Sequence, residues 1–280
     1  MIFLWIVIIT FIAGVIGTGL GGLTGAILRK DSNKVVSLLL SFAGGVMLAV
    51  VCFDLMQSAL HPTDEEKIPF YFVVIFVAIG YLLVALFNRL IDKKTNKEIN
   101  HIDESHPDAH DDLDELIHSN HLVHHKGQSK ELFMAGVIMA LVIALHNLPE
   151  GIVIGAGYAL DKDFTISGAG LIMAVVIGLH NIPEGMAVSV PLISGGMKKS
   201  KAVLLTALSG APTIIGAVIG YAVGLISPIM LSLALSFASG AMLYVVFGEL
   251  LPESILMWKS KMPALFLLIG LLVGFILVQI

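Results

Sequence analysis

Two copies of one polar phrase interrupt long apolar stretches of this 280-residue chain. Residues 145–151 are written LHNLPEG, and residues 179–185, 34 positions later, are written LHNIPEG. Imidazole nitrogens and carboxylate oxygens bind zinc and its transition-metal neighbours, whereas amide oxygens suit harder cations. The sequence therefore predicts a metal site. Each copy supplies three candidate ligands: His146, Asn147 and Glu150 from the first, and His180, Asn181 and Glu184 from the second.

The spacing within each copy places these groups on adjacent faces of a helix. Residues at i, i+3 and i+4 are neighbours on a helix surface, so Glu150 can act together with His146 and with Asn147. A short turn would make the two helices antiparallel, and both histidines lie about 22–26 Å along their helices from that turn. The six side chains are therefore expected to converge at matching depth.

Each copy also carries a proline just before its glutamate and a glycine just after it. Pro149 and Pro183 lack an N–H, so the carbonyls of Leu145 and Leu179 lose their helical partners. Such kinks are tolerated in membranes where the freed groups line a polar cavity, and the glycines permit close approach of another helix. A kinked and open site suits passage of an ion better than permanent storage.

The elements that must position these residues are long apolar helices. The chain is 57% hydrophobic and 13% charged, with a mean hydropathy of +0.94, whereas about 25% of an average soluble protein is charged. Because a membrane-spanning helix needs about 20 mainly apolar residues, we predict an all-α polytopic membrane protein with eight transmembrane helices. The runs are 2–28, 35–60, 68–87, 132–160, 164–195, 202–226, 228–258 and 263–280.

The expected organisation follows from these runs. Helices 1–3 occupy residues 1–87, a long loop occupies 88–131, helices 4 and 5 occupy 132–195, and helices 6–8 occupy 196–280. An ionised carboxylate at the membrane centre costs about 2.5–3.5 kcal/mol, so it is normally paired and functional. One or two divalent cations would neutralise Glu150 and Glu184. The alternative is a buried polar network that only locks two helices together.

Basic residues indicate the orientation. Fourteen of the sixteen Lys and Arg residues lie in the connections on one side, and the other side holds only Lys67 and Lys162. Cytoplasmic connections are enriched in Lys and Arg. We therefore expect a multi-pass protein of the plasma membrane with both termini outside and the long loop in the cytoplasm.

A longer-range repeat relates the second and seventh predicted helices. Residues 41–60 align without gaps to residues 236–255, with nine identities in twenty positions, and Asp54 falls opposite Glu249. Helices five spans apart run in opposite directions, as in the inverted repeats of secondary transporters. The chain is thus expected to have a 3+2+3 arrangement with an inverted repeat. The alternative is chance similarity between helices rich in Leu, Val and Gly.

Four further residues are weaker candidates along an ion pathway. Glu249 and Glu253, spaced i and i+4 near the cytoplasmic end of the seventh helix, could receive a departing ion or could be solvated carboxylates at a helix end. Asp54 could line the outer approach. Met47 offers a thioether ligand, although packing in the core is the commoner role of such a methionine.

The loop at 88–131 holds seven of the ten histidines among many acidic residues. His-rich tracts can bind metals loosely, whereas the simpler alternative is a solvated loop with a short helix near 113–122. We expect a disordered loop with weak metal binding and no essential role in transport.

With these features the sequence resembles the ZIP family of divalent-metal transporters. The resemblance rests on eight spans, the long loop after the third and the HN-x-PEG phrases on the fourth and fifth, and it covers essentially the whole chain. It implies a binuclear site with the six residues above as ligands, a homodimer, and import by an elevator-like rearrangement. The form HNIPEG is similar to that of the bacterial broad-specificity branches. Zn²⁺ is the first expected substrate, followed by Fe²⁺, Mn²⁺, Cd²⁺ or Co²⁺.

Two positions depart from the family pattern. Thr213 stands where many members carry a glutamate on helix 6, which weakens the case for a complete second metal site. Gly248 stands beside Glu249 where some relatives carry a histidine, so inner-side release would rest on Glu249 alone.

Two other functions use similar ligands. An intramembrane zinc-dependent hydrolase is one alternative, but the chain has no H-E-x-x-H motif and its candidate ligands form a duplicated set. A metal exporter is the other, since spacing does not set the direction of transport. The expected partners are divalent metal ions, the lipid bilayer and a second copy of the chain, with no nucleic acid. No cofactor is expected, because the metal is the transported substrate.

Overall fold

The computed structural model describes residues 2–27, 33–63, 67–95, 129–160 and 168–279, and these residues form helices and their connections without a strand. Seven helices are long and apolar enough to cross a membrane, and the eighth is a shorter apolar helix. The predicted all-α polytopic class is therefore confirmed. The helices are α1 (Ile2–Ile27), α2 (Lys34–Leu60), α3 (Phe70–Thr95), α4 (Ser129–Leu160), α5 (Ala169–Ser194), α6 (Lys199–Gly224), α7 (Pro228–Met257) and α8 (Met262–Val278).

Some helix ends differ from the lengths of the apolar runs. Helix α3 continues to Thr95 and α4 begins at Ser129. The first and last residues of the expected loop at 88–131 are therefore helical. A helix can project beyond the apolar span when its last turns are polar. The histidine-rich tract and the short helix expected near 113–122 lie outside the described residues, as does the turn between α4 and α5.

Within the described residues, three helices contain a π-helical turn, in which backbone hydrogen bonds join residues five apart instead of four. These turns are Phe11–Ile16 in α1, Val51–Leu55 in α2 and Val245–Leu250 in α7. Helix α6 is interrupted at Gly210 and Ala211 before Pro212 starts its second half. Such irregular turns often mark functional positions, and here two of them contain Asp54 and Glu249.

Helices α1, α4, α5 and α6 pack closely around the two repeated phrases, and we name this group the site bundle. Gly151 lies against the carbonyl oxygen of Thr213, and Gly185 lies against the carbonyl oxygen of Thr18. A Cβ at either glycine would collide with backbone, so these positions require glycine. The close approach predicted for the glycine after each glutamate is therefore present in both copies.

Helices α2, α3, α7 and α8 form the second group, which we name the flanking bundle. Its helices also meet through glycine, since Gly45 of α2 lies against the carbonyl of Leu267 and Gly240 of α7 lies against that of Val77. Only 17% of the apolar part of α3 is buried within the protein. Most of its apolar side chains therefore face the surroundings, as a membrane requires.

Contacts in the two halves of the chain repeat with a constant spacing. Ser37 Oγ donates to the carbonyl of Ser254 at 2.6 Å, and Ser232 Oγ donates to that of Ala59 at 2.6 Å. The partners of one bond lie 195 residues from their counterparts in the other. Because α2 and α7 are antiparallel, these bonds join the helices at opposite ends. The inverted repeat is thus a property of the fold and not a chance similarity of composition.

Candidate metal centre

The two repeated phrases face each other across α4 and α5 in the middle of the site bundle. All six predicted ligands are buried, and none exposes more than 4% of its surface. The prolines of both phrases remain inside continuous helices. Dehydration on this scale means that every charge at the site must be balanced by groups inside the protein or by a bound ion.

Three of the six predicted ligands come together in one cluster. Ligand atoms of Glu150, His180 and Glu184 all lie within 4.8 Å of one another. His180 Nε2 and Glu150 Oε1 are 2.8 Å apart, so the imidazole of one helix bonds the carboxylate of the other. A carboxylate of each repeated phrase thus contributes to the cluster, but only the second phrase contributes its histidine.

Several acceptor atoms in and beside this cluster have no hydrogen-bond donor among the residues that the structure describes. They are Glu150 Oε2, both carboxylate oxygens of Glu184 and the amide oxygen of Asn181. An ionised carboxylate can only accept hydrogen bonds, and buried polar groups are paired in most proteins. A group of buried acceptors without donors is the arrangement that a cation would satisfy.

His146 lies apart from the cluster and faces the flanking bundle. Its Nε2 is 3.8 Å from Glu249 Oε1 on α7, which is within ion-pair range but too long for a hydrogen bond. Glu249 retains 14% side-chain exposure, so it connects the dehydrated site to more accessible space. The sequence predicted His146 among the central ligands, whereas the structure places its imidazole beside Glu249 of α7.

The two asparagines belong to a hydrogen-bond network that joins four helices. Asn147 Nδ2 donates to the carbonyls of Ile143 at 2.9 Å and Ser209 at 3.2 Å. Asn181 Nδ2 donates to the carbonyl of Ala13 at 3.1 Å and to Asn147 Oδ1 at 3.3 Å. The backbone partners on α1 and α6 carry no side-chain signal, so sequence reasoning missed them.

Thr213 completes this network. Its hydroxyl is buried and donates to Asn147 Oδ1 at 3.0 Å. The amide oxygen of Asn147 therefore accepts from two donors and has no lone pair left for a metal, whereas that of Asn181 has none of its hydrogen-bonding capacity used. The resemblance implies a glutamate at position 213. Thr213 contributes a hydrogen-bond donor there instead of a carboxylate ligand.

The remaining candidates lie in the flanking bundle. Asp54 Oδ1 accepts from Ser58 Oγ at 3.4 Å one turn further along α2. Glu253 is buried at the end of α7 and makes contacts of its own, so it is not a solvated helix-end carboxylate. Met47 is fully buried within the main apolar core cluster.

These features define the class: a helical, multi-pass membrane protein that encloses a candidate cation site between its central helices. The family model described as ZIP zinc transporter matches residues 2–280. The chain therefore belongs to the ZIP zinc-transporter family, as its resemblance predicted. Since that family consists of transporters, the intramembrane hydrolase is excluded.

Curated relatives cover most of the chain. The protein named Zinc transporter ZupT of Campylobacter jejuni is 34% identical over 265 residues, covering 88% of this chain and 86% of the relative. That of Clostridium perfringens is 31% identical over 262 residues, covering 88% and 85%. That of Shigella flexneri is 30% identical over 276 residues, covering 97% and 95%.

Proposed function

We propose that this protein imports divalent transition-metal ions, Zn²⁺ first, and that the transported ion binds Glu150, His180 and Glu184. The observation that carries the proposal is the set of buried carboxylate oxygens without donors in this cluster. Two ionised glutamates carry a charge of −2, which one divalent ion neutralises. The names of the curated relatives support zinc as the first substrate.

The donor set suits several metals. One imidazole nitrogen and up to four carboxylate oxygens form a mixed site that accepts Zn²⁺, Fe²⁺, Mn²⁺, Co²⁺ or Cd²⁺, and it contains no thiolate that would select a soft metal. We expect broad selectivity among these ions, with discrimination set by the geometry of the three side chains.

One ion is favoured over two in this conformation. The resemblance implies a binuclear site, in which the two asparagines would serve a second metal. The amide oxygen of Asn147 is already saturated by Thr213 and Asn181, so its use as a ligand would require both donors to leave. Only Asn181 Oδ1 remains free to add to the cluster.

Passage requires that the bound ion reach both sides of the membrane. His146 and Glu249 offer the next imidazole and carboxylate along the path, and Glu249 lies in the half of α7 that ends at Met257. With the orientation expected from the basic residues, this is the cytoplasmic half, so the pair would receive the ion on its way in. We also propose that the protein lies in the plasma membrane, that both termini are outside and that it forms a homodimer.

Uptake into proteoliposomes tests the proposal. The purified protein is reconstituted with a zinc-sensitive dye inside, and Zn²⁺ is added outside to the parent and to Glu150→Gln with Glu184→Gln. We expect entry with the parent and none with the double variant. Thr24→Val is the control, because the Thr24 hydroxyl is exposed and donates to the carbonyl of Leu20 within the same helix, α1.

Two results would contradict the proposal. Equal entry with the double variant would place the transport site elsewhere. A parent protein that binds zinc but releases it only from preloaded vesicles in the outward direction would favour the exporter. Competition by Fe²⁺, Mn²⁺, Cd²⁺ and Co²⁺ then ranks the substrates.

A further inference from the structure

An open cleft with a volume of about 590 Å³ lies on the surface of the site bundle, between the end of α1 and the start of α6. Four of its lining residues are apolar, and the two polar ones stand at the start of α6. The lining residues are Leu23, Ala26, Ile27, Lys199, Ser200 and Val203. A cleft of this composition suits a ligand that has both an apolar part and a polar part.

Lys199 is held at this cleft by a hydrogen bond between the two helices. Its Nζ donates to the carbonyl oxygen of Ala26 at 2.6 Å. Ala26 lies in the last turn of α1, where carbonyl groups have no partner within the helix. An ammonium has three N–H donors, so two of them remain for a ligand. Because the cation is already positioned, a ligand that binds it meets little additional cost in side-chain entropy.

The lysines around the cleft have no acidic partner. Lys198, Lys199 and Lys201 are all exposed, and the sequence contains no aspartate or glutamate between Glu184 and Glu249. Within the described residues, no carboxylate lies within ion-pair distance of any of the three lysines. Three positive charges therefore remain unneutralised at this surface, which favours a ligand that carries negative charge.

The position of the cleft along the apolar helices indicates the kind of anion. The apolar spans end at Ile27 in α1 and begin at Lys199 in α6, so the cleft lies where lipid headgroups meet acyl chains. Leu23 and Ile27 expose 49% and 72% of their surfaces at the same cleft. A soluble anion such as phosphate would leave this apolar surface in contact with water, whereas a phospholipid has an acyl chain that covers it.

We propose that this cleft binds one anionic phospholipid, with the headgroup phosphate on Lys199 and Ser200 and an acyl chain along Leu23 and Val203. An ammonium and a hydroxyl both donate hydrogen bonds to phosphate oxygens. With the orientation expected from the basic residues, the lipid comes from the cytoplasmic leaflet, in which anionic lipids are enriched. The proposal concerns a second ligand and does not depend on metal transport.

The bound lipid connects the membrane surface to the helices that enclose the candidate metal centre. Helix α1 packs on α5 where Gly185 lies against the Thr18 carbonyl, and α6 packs on α4 where Gly151 lies against the Thr213 carbonyl. A ligand that binds the folded protein and not the unfolded chain stabilises the fold by mass action. We therefore expect anionic lipid to raise the melting temperature of the metal-free protein.

Native mass spectrometry of the full-length protein tests the proposal. The metal-free protein in detergent is titrated with phosphatidylglycerol and, separately, with phosphatidylcholine, and the lipids retained per chain are counted. We expect saturable binding of one phosphatidylglycerol, and binding of phosphatidylcholine that is weaker by about tenfold or more because its headgroup has no net charge. Glycerol phosphate supplies the headgroup without acyl chains, so it should compete only at a much higher concentration.

Two substitutions that remove the same charge distinguish the cleft from general attraction to a basic surface. Lys199→Gln removes the positioned ammonium and should weaken phosphatidylglycerol binding about tenfold or more, whereas Lys199→Arg keeps a cation with N–H donors and should retain binding. Lys201 lies about 200° further around the helix and does not line the cleft, so Lys201→Gln should weaken binding less than about twofold. Val203→Phe fills the cleft and keeps all three lysines, and it should weaken binding as Lys199→Gln does.

Four results would overturn the proposal. Equal weakening by Lys199→Gln and Lys201→Gln would show a general attraction of anionic lipids to the lysines, and equal retention of phosphatidylcholine would remove the role of charge. Glycerol phosphate that competes as well as the lipid would show a site for free anions. Full binding by a folded Val203→Phe variant would place the lipid elsewhere. If that variant does not fold, the lysine variants decide: a loss in Lys199→Gln that Lys199→Arg restores supports the proposal, and equal binding by both overturns it.

Discussion

Substitution of Glu184 by glutamine should affect the metal-free and metal-loaded proteins in opposite directions. Glu184 is fully buried, and neither of its carboxylate oxygens has a hydrogen-bond partner in the described part of the chain. An uncompensated ion at the membrane centre costs about 2.5–3.5 kcal/mol. Glu184→Gln removes that charge, so we expect the metal-free variant to unfold at the same or a higher temperature than the parent.

Zinc should stabilise the variant much less than it stabilises the parent. An ion present at about 100 times its dissociation constant stabilises the folded state by about 2.7 kcal/mol. Loss of one carboxylate ligand that weakens binding about 100-fold would reduce that stabilisation to about 0.4 kcal/mol at the same zinc concentration. The ligand and the destabilising charge are the same group, so the two effects cannot be separated in the parent.

The assay is thermal unfolding in detergent, first with a chelator and then with a fixed excess of Zn²⁺. Ser239→Ala is a suitable control, because this serine is buried and its hydroxyl donates to the carbonyl of Leu235 within the same helix, α7. Its zinc-dependent shift should equal that of the parent. The reasoning is refuted if Glu184→Gln lowers the melting temperature of the metal-free protein and retains the full zinc shift.

Three further predictions follow from the contacts described, and a fourth follows from the sequence of the long loop. Thr213→Val should cost about 1 kcal/mol of unfolding free energy, because Asn147 Oδ1 keeps its other donor, and a titration should still give one zinc per chain. Gly151→Ala places a methyl group against the Thr213 carbonyl and should lower stability by about 1–3 kcal/mol in denaturant unfolding, whereas an unchanged midpoint would contradict the close packing. Glu249→Gln should leave equilibrium zinc affinity intact and slow uptake, and a parallel loss of affinity would instead place Glu249 among the central ligands. Deletion of residues 101–125 should remove weakly bound zinc measured by dialysis without lowering the uptake rate.

The fold was largely predictable because its strongest determinants are local in the sequence. Long apolar runs require helices, since only helices satisfy their own backbone groups in lipid. The spacing of 195 between residues 41–60 and 236–255 predicted an inverted repeat, and equivalent π-turns and serine bonds reflect it in space. Helix ends were less predictable, as α3 and α4 show, because polar turns can continue a helix beyond the bilayer.

The residues of the candidate site were predictable from the sequence, but the contacts among them were not. The phrase of each helix identifies three polar residues, and helical periodicity places them on neighbouring faces. It does not say which histidine meets which carboxylate, because that depends on the relative position of α4, α5 and α7. The same limit applies to Asn147, whose partners are Thr213 on α6, Asn181 on α5 and two backbone carbonyls.

The π-helical turns of α2 and α7 have a consequence for insertions and deletions. A π-turn accommodates one residue more than an α-helical turn, so deletion of a single residue such as Phe247 would let α7 become regular. Because the π-turn absorbs this residue locally, the helical segments on its two sides would keep nearly the same rotation relative to each other. Glu249 would still face His146 while Gly240 packs on α3. A deletion in a regular part of α7 would instead rotate one side by about 100° relative to the other. The π-turn Val245–Leu250 is therefore the part of α7 in which the loss of one residue disturbs the two contacts least.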